Sequence, residues 1–93
     1  MHKFQKTILK NAKKQLADMT KKIDEVHSLA ELDKVYSCFR SAYDTYSLSC
    51  NDYNHELKGT DEFLKEMEAV LNEAWDLAKN KYNKRMKYYI QLN

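Results

Sequence analysis

Proline is absent from the 93 residues, and glycine occurs once, at Gly59. Turns lean on these two residues for a fixed or a positive φ, and strands joined by tight hairpins need them repeatedly. Their scarcity excludes a turn-rich β fold and predicts long helices with few connections. Cysteine is scarce too: Cys38 and Cys50 are the only two, twelve positions apart in one predicted helix. That spacing separates them by roughly 18 Å, too far for a disulfide, so free thiols in a reducing compartment are expected. No stretch approaches the roughly 20 apolar residues of a membrane span. The first 23 residues alternate lysines with apolar positions and lack the continuous apolar core of a signal peptide. A cytoplasmic protein with no membrane partner is the expectation.

Catalytic signatures are missing as well. There is no glycine-rich phosphate loop, no HExxH, no CxxC and no glycine-flanked nucleophilic serine. His2, His27 and His55 are scattered. Cys50, Asp52 and His55 share a predicted helix, but a helical i, i+5 pair points its side chains about 140° apart, so no metal site is expected. Arg40 and Asp44 read as an ordinary i, i+4 surface pair. The chain is therefore read as non-enzymatic, with neither cofactor nor metal.

What is present is helical pattern. Charged residues at 32% and apolar ones at 43% exclude intrinsic disorder as the default and predict one helical domain spanning 1–93, with helices at about 2–26, 28–58 and 61–91. In the middle helix Leu29, Leu32, Tyr36, Phe39, Tyr43, Tyr46, Cys50, Tyr53 and Leu57 follow at alternating spacings of 3 and 4. That is the 3.5-residue seam of a helix packed lengthwise on another. Its tyrosines should bury their rings and keep their hydroxyls at the margins. The opposite side, with Lys34, Ser37, Ser41, Thr45, Leu48, Asp52 and His55, is either a solvated face or a second packing surface.

Two corners divide the helices. Ser28 and Glu31 form a capping box, the serine hydroxyl accepting from the Glu31 N–H and the carboxylate reaching back to the Ser28 N–H. Gly59, followed by Thr60 and Asp61 as caps, marks the turn of an antiparallel hairpin. The first helix is amphipathic and basic: Phe4, Ile8, Ala12, Leu16, Met19, Ile23 and Val26 on one face, Lys3, Lys6, Lys10, Lys13, Lys14 and Lys21 on the other. In the third helix, Phe63, Leu64, Met67, Val70, Leu71, Ala74, Trp75, Leu77 and Ala78 cover about half the circumference, enough for two neighbours. The fold expected is an elongated all-α three-helix bundle, a basic amphipathic first helix plus a long helical hairpin turning at Gly59.

The net charge of +2 conceals three blocks. Residues 1–23 carry seven lysines against Asp18; residues 24–76 carry 13 acids against Lys34, Arg40, Lys58 and Lys65; residues 77–93 carry five basic groups and no acid. Such blocks meet their opposites inside the fold or across a subunit contact. Two functions follow as expectations. The first is an interaction or inhibitor protein that self-associates, with Phe63, Met67, Val70, Trp75 and Leu77 as its contact face, and binds a protein partner. The second is a nucleotide or nucleic-acid binder using Lys79, Lys81, Lys84, Arg85 and Lys87 on phosphate, with Tyr82 and Tyr88 to stack on bases. No family's diagnostic motif is present. In its organisation, a leading helix before two antiparallel helices of roughly 30 residues, the chain resembles the small phage proteins that assemble into rings and sequester cyclic-nucleotide immune signals. The resemblance implies an oligomer and a nucleotide ligand, and it matches no individual residue.

Overall fold

The 3.5-residue seam of the middle helix becomes the axis of the molecule. The structure, a computed structural model, describes residues 3–56 and 61–92, with side chains for 3–50 and 62–91. These residues form three α-helices: α1 (Lys3–Ile23), α2 (Leu29–Glu56) and α3 (Asp61–Leu92). Each helix packs against both others. The Gly59 turn and its Thr60 cap lie outside the described residues, as do the side chains of Tyr53 and Leu57 in the seam and of Asp52 and His55. Even so, α2 and α3 run antiparallel, since Tyr36 meets Tyr82 near one end of the pair and Cys50 and Leu64 line one groove nearer the other. α1 is antiparallel to α2 and therefore parallel to α3. The molecule measures 51 × 19 × 16 Å with a radius of gyration of 15.3 Å, against about 12 Å for a compact chain of this length. It is elongated.

Two contiguous clusters make up the core. Leu16, Ile23, Val26, Leu32, Phe39, Leu71, Ala74 and Ala78 form the larger; Leu9, Ala12, Phe63 and Met67 form the smaller, and Tyr46 and Val70 touch both. Among the described residues Phe39 and Phe63 are the largest fully buried side chains, each contributing about 1.5–3 kcal/mol from burial. An aromatic ladder runs along the α2–α3 seam: Tyr36 on Tyr82 at 4.2 Å, Phe39 beside Trp75 at 6.5 Å, and Tyr43 on Trp75 at 4.9 Å between ring centroids. The tyrosines at this seam bury part of each ring, as their spacing predicts. Hydroxyls at the margins find partners, Tyr46 donating to Gln15 Oε1 at 2.6 Å and Tyr89 to the Val26 carbonyl at 3.2 Å.

The first helix keeps part of its expected face, with Ala12, Leu16, Ile23 and Val26 buried, and departs from it elsewhere. The buried row is Gln5, Leu9, Ala12, Leu16, Thr20 and Ile23, whereas Phe4 is 63% exposed and Ile8 and Met19 are only half-buried. Because α1 sits in the notch between two helices, its innermost row is the one bisecting them, and Phe4, Ile8 and Met19 flank it. Thr20 tolerates burial by donating its hydroxyl to the Ala17 carbonyl at 2.8 Å. The helix also ends at Ile23 rather than Val26. Asp24 and Glu25 close a tighter turn by donating to the Lys21 and Lys22 carbonyls, and Val26 enters the core from the connection. In the second helix, Leu29 heads the seam on paper but is 40% exposed.

The capping box forms with one difference. Ser28 Oγ accepts from the Glu31 N–H at 3.1 Å, but the Glu31 carboxylate accepts from the His27 N–H at 3.1 Å, one residue before the expected donor. The chain thus turns sharply from α1 into α2 with both free N–H groups satisfied.

Candidate functional site

The basic end of α3 folds back over the α1–α2 corner. Lys81 Nζ lies 2.6 Å from the Asp24 carboxylate, and Arg85 donates to the Asp24 backbone carbonyl. Tyr89 donates to the Val26 carbonyl. Arg85 and Tyr89 thus take up backbone oxygens of the corner just past α1, while Lys81 pairs with a side-chain carboxylate there. One turn away, Tyr82 stacks on Tyr36 and places its hydroxyl 3.4 Å from Asp33. Desolvation first, and the Asp33 carboxylate second, push the Tyr82 phenol above its ordinary value.

This geometry divides the seven residues read as a nucleotide or nucleic-acid surface. Lys81, Tyr82 and Arg85 are engaged within the chain, because the corner of which local composition gives no hint lies directly beneath them. Lys79, Lys84, Lys87 and Tyr88 face solvent; Tyr88 is 52% exposed, with an edge contact to Tyr89 at 5.4 Å. Helical periodicity brings Lys84, Lys87 and Tyr88 together and sends Lys79 to another side.

The five residues read as a contact face are divided as well. Phe63 and Met67 are buried in the smaller core cluster against Leu9 and Ala12 of α1, and Trp75 is half-buried in the aromatic ladder. The wide apolar face of α3 is thus covered largely by the chain's own first helix. Val70 and Leu77 remain at its edge, lining a shallow α1–α3 groove with Leu16, Ala17, Thr20 and Ala74, and Leu77 is 45% exposed.

A surface that the sequence only sketched stands out on α1. Lys6, Lys10, Lys13 and Lys14 crowd one open cleft, with Leu9 at its floor and Glu62 and Glu66 on the α3 wall. Further along the same pair of helices, Lys13 faces a groove shared with Glu73. The basic first block thus lies beside the acidic start of α3 inside the fold, which offsets the unfavourable alignment of two parallel helix dipoles. None of these lysines makes an ion pair with another described residue. Lys3, Lys10, Lys14 and Lys21 fall on the outward side of α1 at helical spacing, and all are exposed.

Among the described residues, no group of three or more His, Cys, Asp or Glu side chains could hold a metal ion, and no helix is long and apolar enough to cross a membrane. Cys38 is exposed, while Cys50 is half-buried with its thiol pushed up by desolvation. Compared with family models, with characterised proteins and with solved structures, the chain matches none.

Proposed function

We propose that this chain is a non-enzymatic binding protein whose working surface is the outward lysine ridge of α1, and that it takes a partner protein presenting an acidic face. The observation that supports this reading is the row Lys3, Lys10, Lys14 and Lys21, exposed and without an ion pair to any described residue along most of one helix. Charge of one sign held outside ion pairs steers an oppositely charged partner and sets its register. The flank of the ridge decides between partner classes. Glu62 and Glu66 border it on α3, and they would repel a phosphate backbone but suit a protein surface of mixed sign.

Nucleic acid is the second reading. It rests on Lys84, Lys87 and Tyr88, which stand exposed together near the end of α3, away from those glutamates. The inhibitor role and the cyclic-nucleotide ligand implied by the phage resemblance rest on helix lengths alone and add one small ligand to the test.

The experiment compares affinity capture from cell extract by the unaltered protein, a Lys3, Lys10, Lys14 and Lys21→Gln variant, and a Lys84, Lys87 and Tyr88→Ala variant, with circular dichroism confirming folding. The expected result is a protein captured by the first and third and lost from the second, insensitive to nuclease and weakened by salt. Capture unchanged by the α1 substitutions overturns the reading. Co-purifying nucleic acid or nucleotide, lost only with the α3 substitutions, moves the function to the second surface.

A further inference from the structure

The lysine ridge of α1 is ordered in space as well as in sign. Lys3, Thr7, Lys10, Lys14, Ala17 and Lys21 follow at spacings of 4, 3, 4, 3 and 4, and all six are exposed. That is a row of 3.5-residue period on the outward face of α1, the same period that α2 uses for its buried seam. A row of this period stays nearly in line with the helix axis, so it can meet a second helix lengthwise over roughly 27 Å, about five turns. Its two uncharged positions are small. Ala17 offers only a methyl group, and Thr7 already donates its hydroxyl to the Lys3 carbonyl at 3.1 Å. They leave low points on either side of the central Lys10 and Lys14, where another helix can approach without stripping water from an unsatisfied group.

Charge beside the row has the opposite sign. Glu62 and Glu66 stand across the cleft from Lys10 and Lys14. Asp18, also exposed, lies on the other flank, within one turn of Lys14 and Lys21. A polyphosphate is negative along its whole length and meets these carboxylates wherever it sits on the row. A helix can carry its acids in one stripe and its basic residues beside them, which matches both the ridge and its flanks.

The complement is fixed by the lysines, whose intervals are 7, 4 and 7. These intervals read the same in both directions, so dipoles choose between them. Because α1 already lies parallel to α3, a partner antiparallel to α1 is favoured.

We infer that the ridge seats a single acidic helix of the partner, antiparallel to α1, with Asp or Glu at intervals of 7, 4 and 7 and basic residues on its flanks. The inference rests on the reading that the ridge takes an acidic protein, and adds that the acids are held in helical register. A strip roughly 27 Å long and about 10 Å wide is well below the roughly 800 Å² per partner of a standard stable interface. The complex is therefore transient and weakened by salt.

The test uses two acidic peptides of identical composition and equal helicity by circular dichroism, titrated into the isotope-labelled full chain at low ionic strength, with the amides followed by NMR. In one peptide four glutamates are spaced 7, 4 and 7; in the other they are spread around the helix. The spaced peptide should shift the amides of residues 3–21 and bind about tenfold tighter, the difference made by several exposed ion pairs formed together. Lys10→Glu combined with Lys14→Glu should abolish that preference, and a peptide with lysine at its two central acidic positions should recover binding to this variant. Equal affinity for the two peptides overturns the helical register and leaves an acidic protein partner in place. If neither peptide shifts the α1 amides, the inference and the reading beneath it both fall.

Discussion

Single residues of this chain are legible in the sequence when their role is set by neighbours along the helix, and illegible when it is set by a distant element. Leu32 and Phe39 are predicted core residues and are fully buried, because a seam position of a long helix has one destination. Gln5 and Thr20 are buried with nothing in their chemistry to announce it. Tyr82 is the sharpest case: surrounded in sequence by lysines and asparagines, it looks like a stacking surface for a base, yet its stacking partner is Tyr36. Its raised ionisation has a definite sign. The folded chain holds the phenolic proton more tightly than the unfolded chain, so this contribution is intact below about pH 10, the unfolded value, and is lost as pH rises through the higher folded value. Tyr82→Phe should therefore remove amplitude from the alkaline side of an absorbance titration and flatten the decline of stability above about pH 10. Amplitude lost evenly across the phenol transition instead would show that the Asp33 contact does not persist in solution.

At the scale of the element, periodicity predicts existence and type well and orientation less well. The α2 seam obeys a strict alternation of 3 and 4, which admits one buried face. In α1 the expected face holds in part: Ala12, Leu16, Ile23 and the following Val26 are buried, but the notch between α2 and α3 selects a row that adds Gln5, Leu9 and Thr20 and leaves Phe4, Ile8 and Met19 to one side. Ends follow their caps: the Ser28 box fixes the start of α2 to within one residue of expectation. Ser28→Ala should cost about 1 kcal/mol in chemical denaturation, while Glu31→Ala should cost less, since the serine caps an N–H of the helix whereas the carboxylate serves one outside it. Equal losses at both positions would mean that the corner depends on the carboxylate as much as on the hydroxyl.

For the whole molecule, charge blocks proved more informative than the search for a binding motif. They foretold that opposites would meet, and the lysines of α1 do lie along the glutamates of α3. Nothing local to residues 79–90 reveals that Lys81, Arg85 and Tyr89 close over a corner some 60 positions earlier, at separations of 57, 61 and 63. Those separations have a kinetic consequence. Helices form from local contacts in about a microsecond, but the clasp on Asp24 and Val26 exists only after nearly the entire chain has come together, and loop closure over such distances opposes it. The corner, held at the exposed end of the bundle, should close only as α3 docks and open before the buried core does. Native-state hydrogen exchange should find the amides of Asp24 and Glu25 opening well below the global unfolding free energy, and Arg85→Ala should speed their exchange several-fold while leaving those around Phe39 unchanged. Strict co-exchange of both regions would mean that the bundle opens as one unit, with no order of closing preserved in its ends.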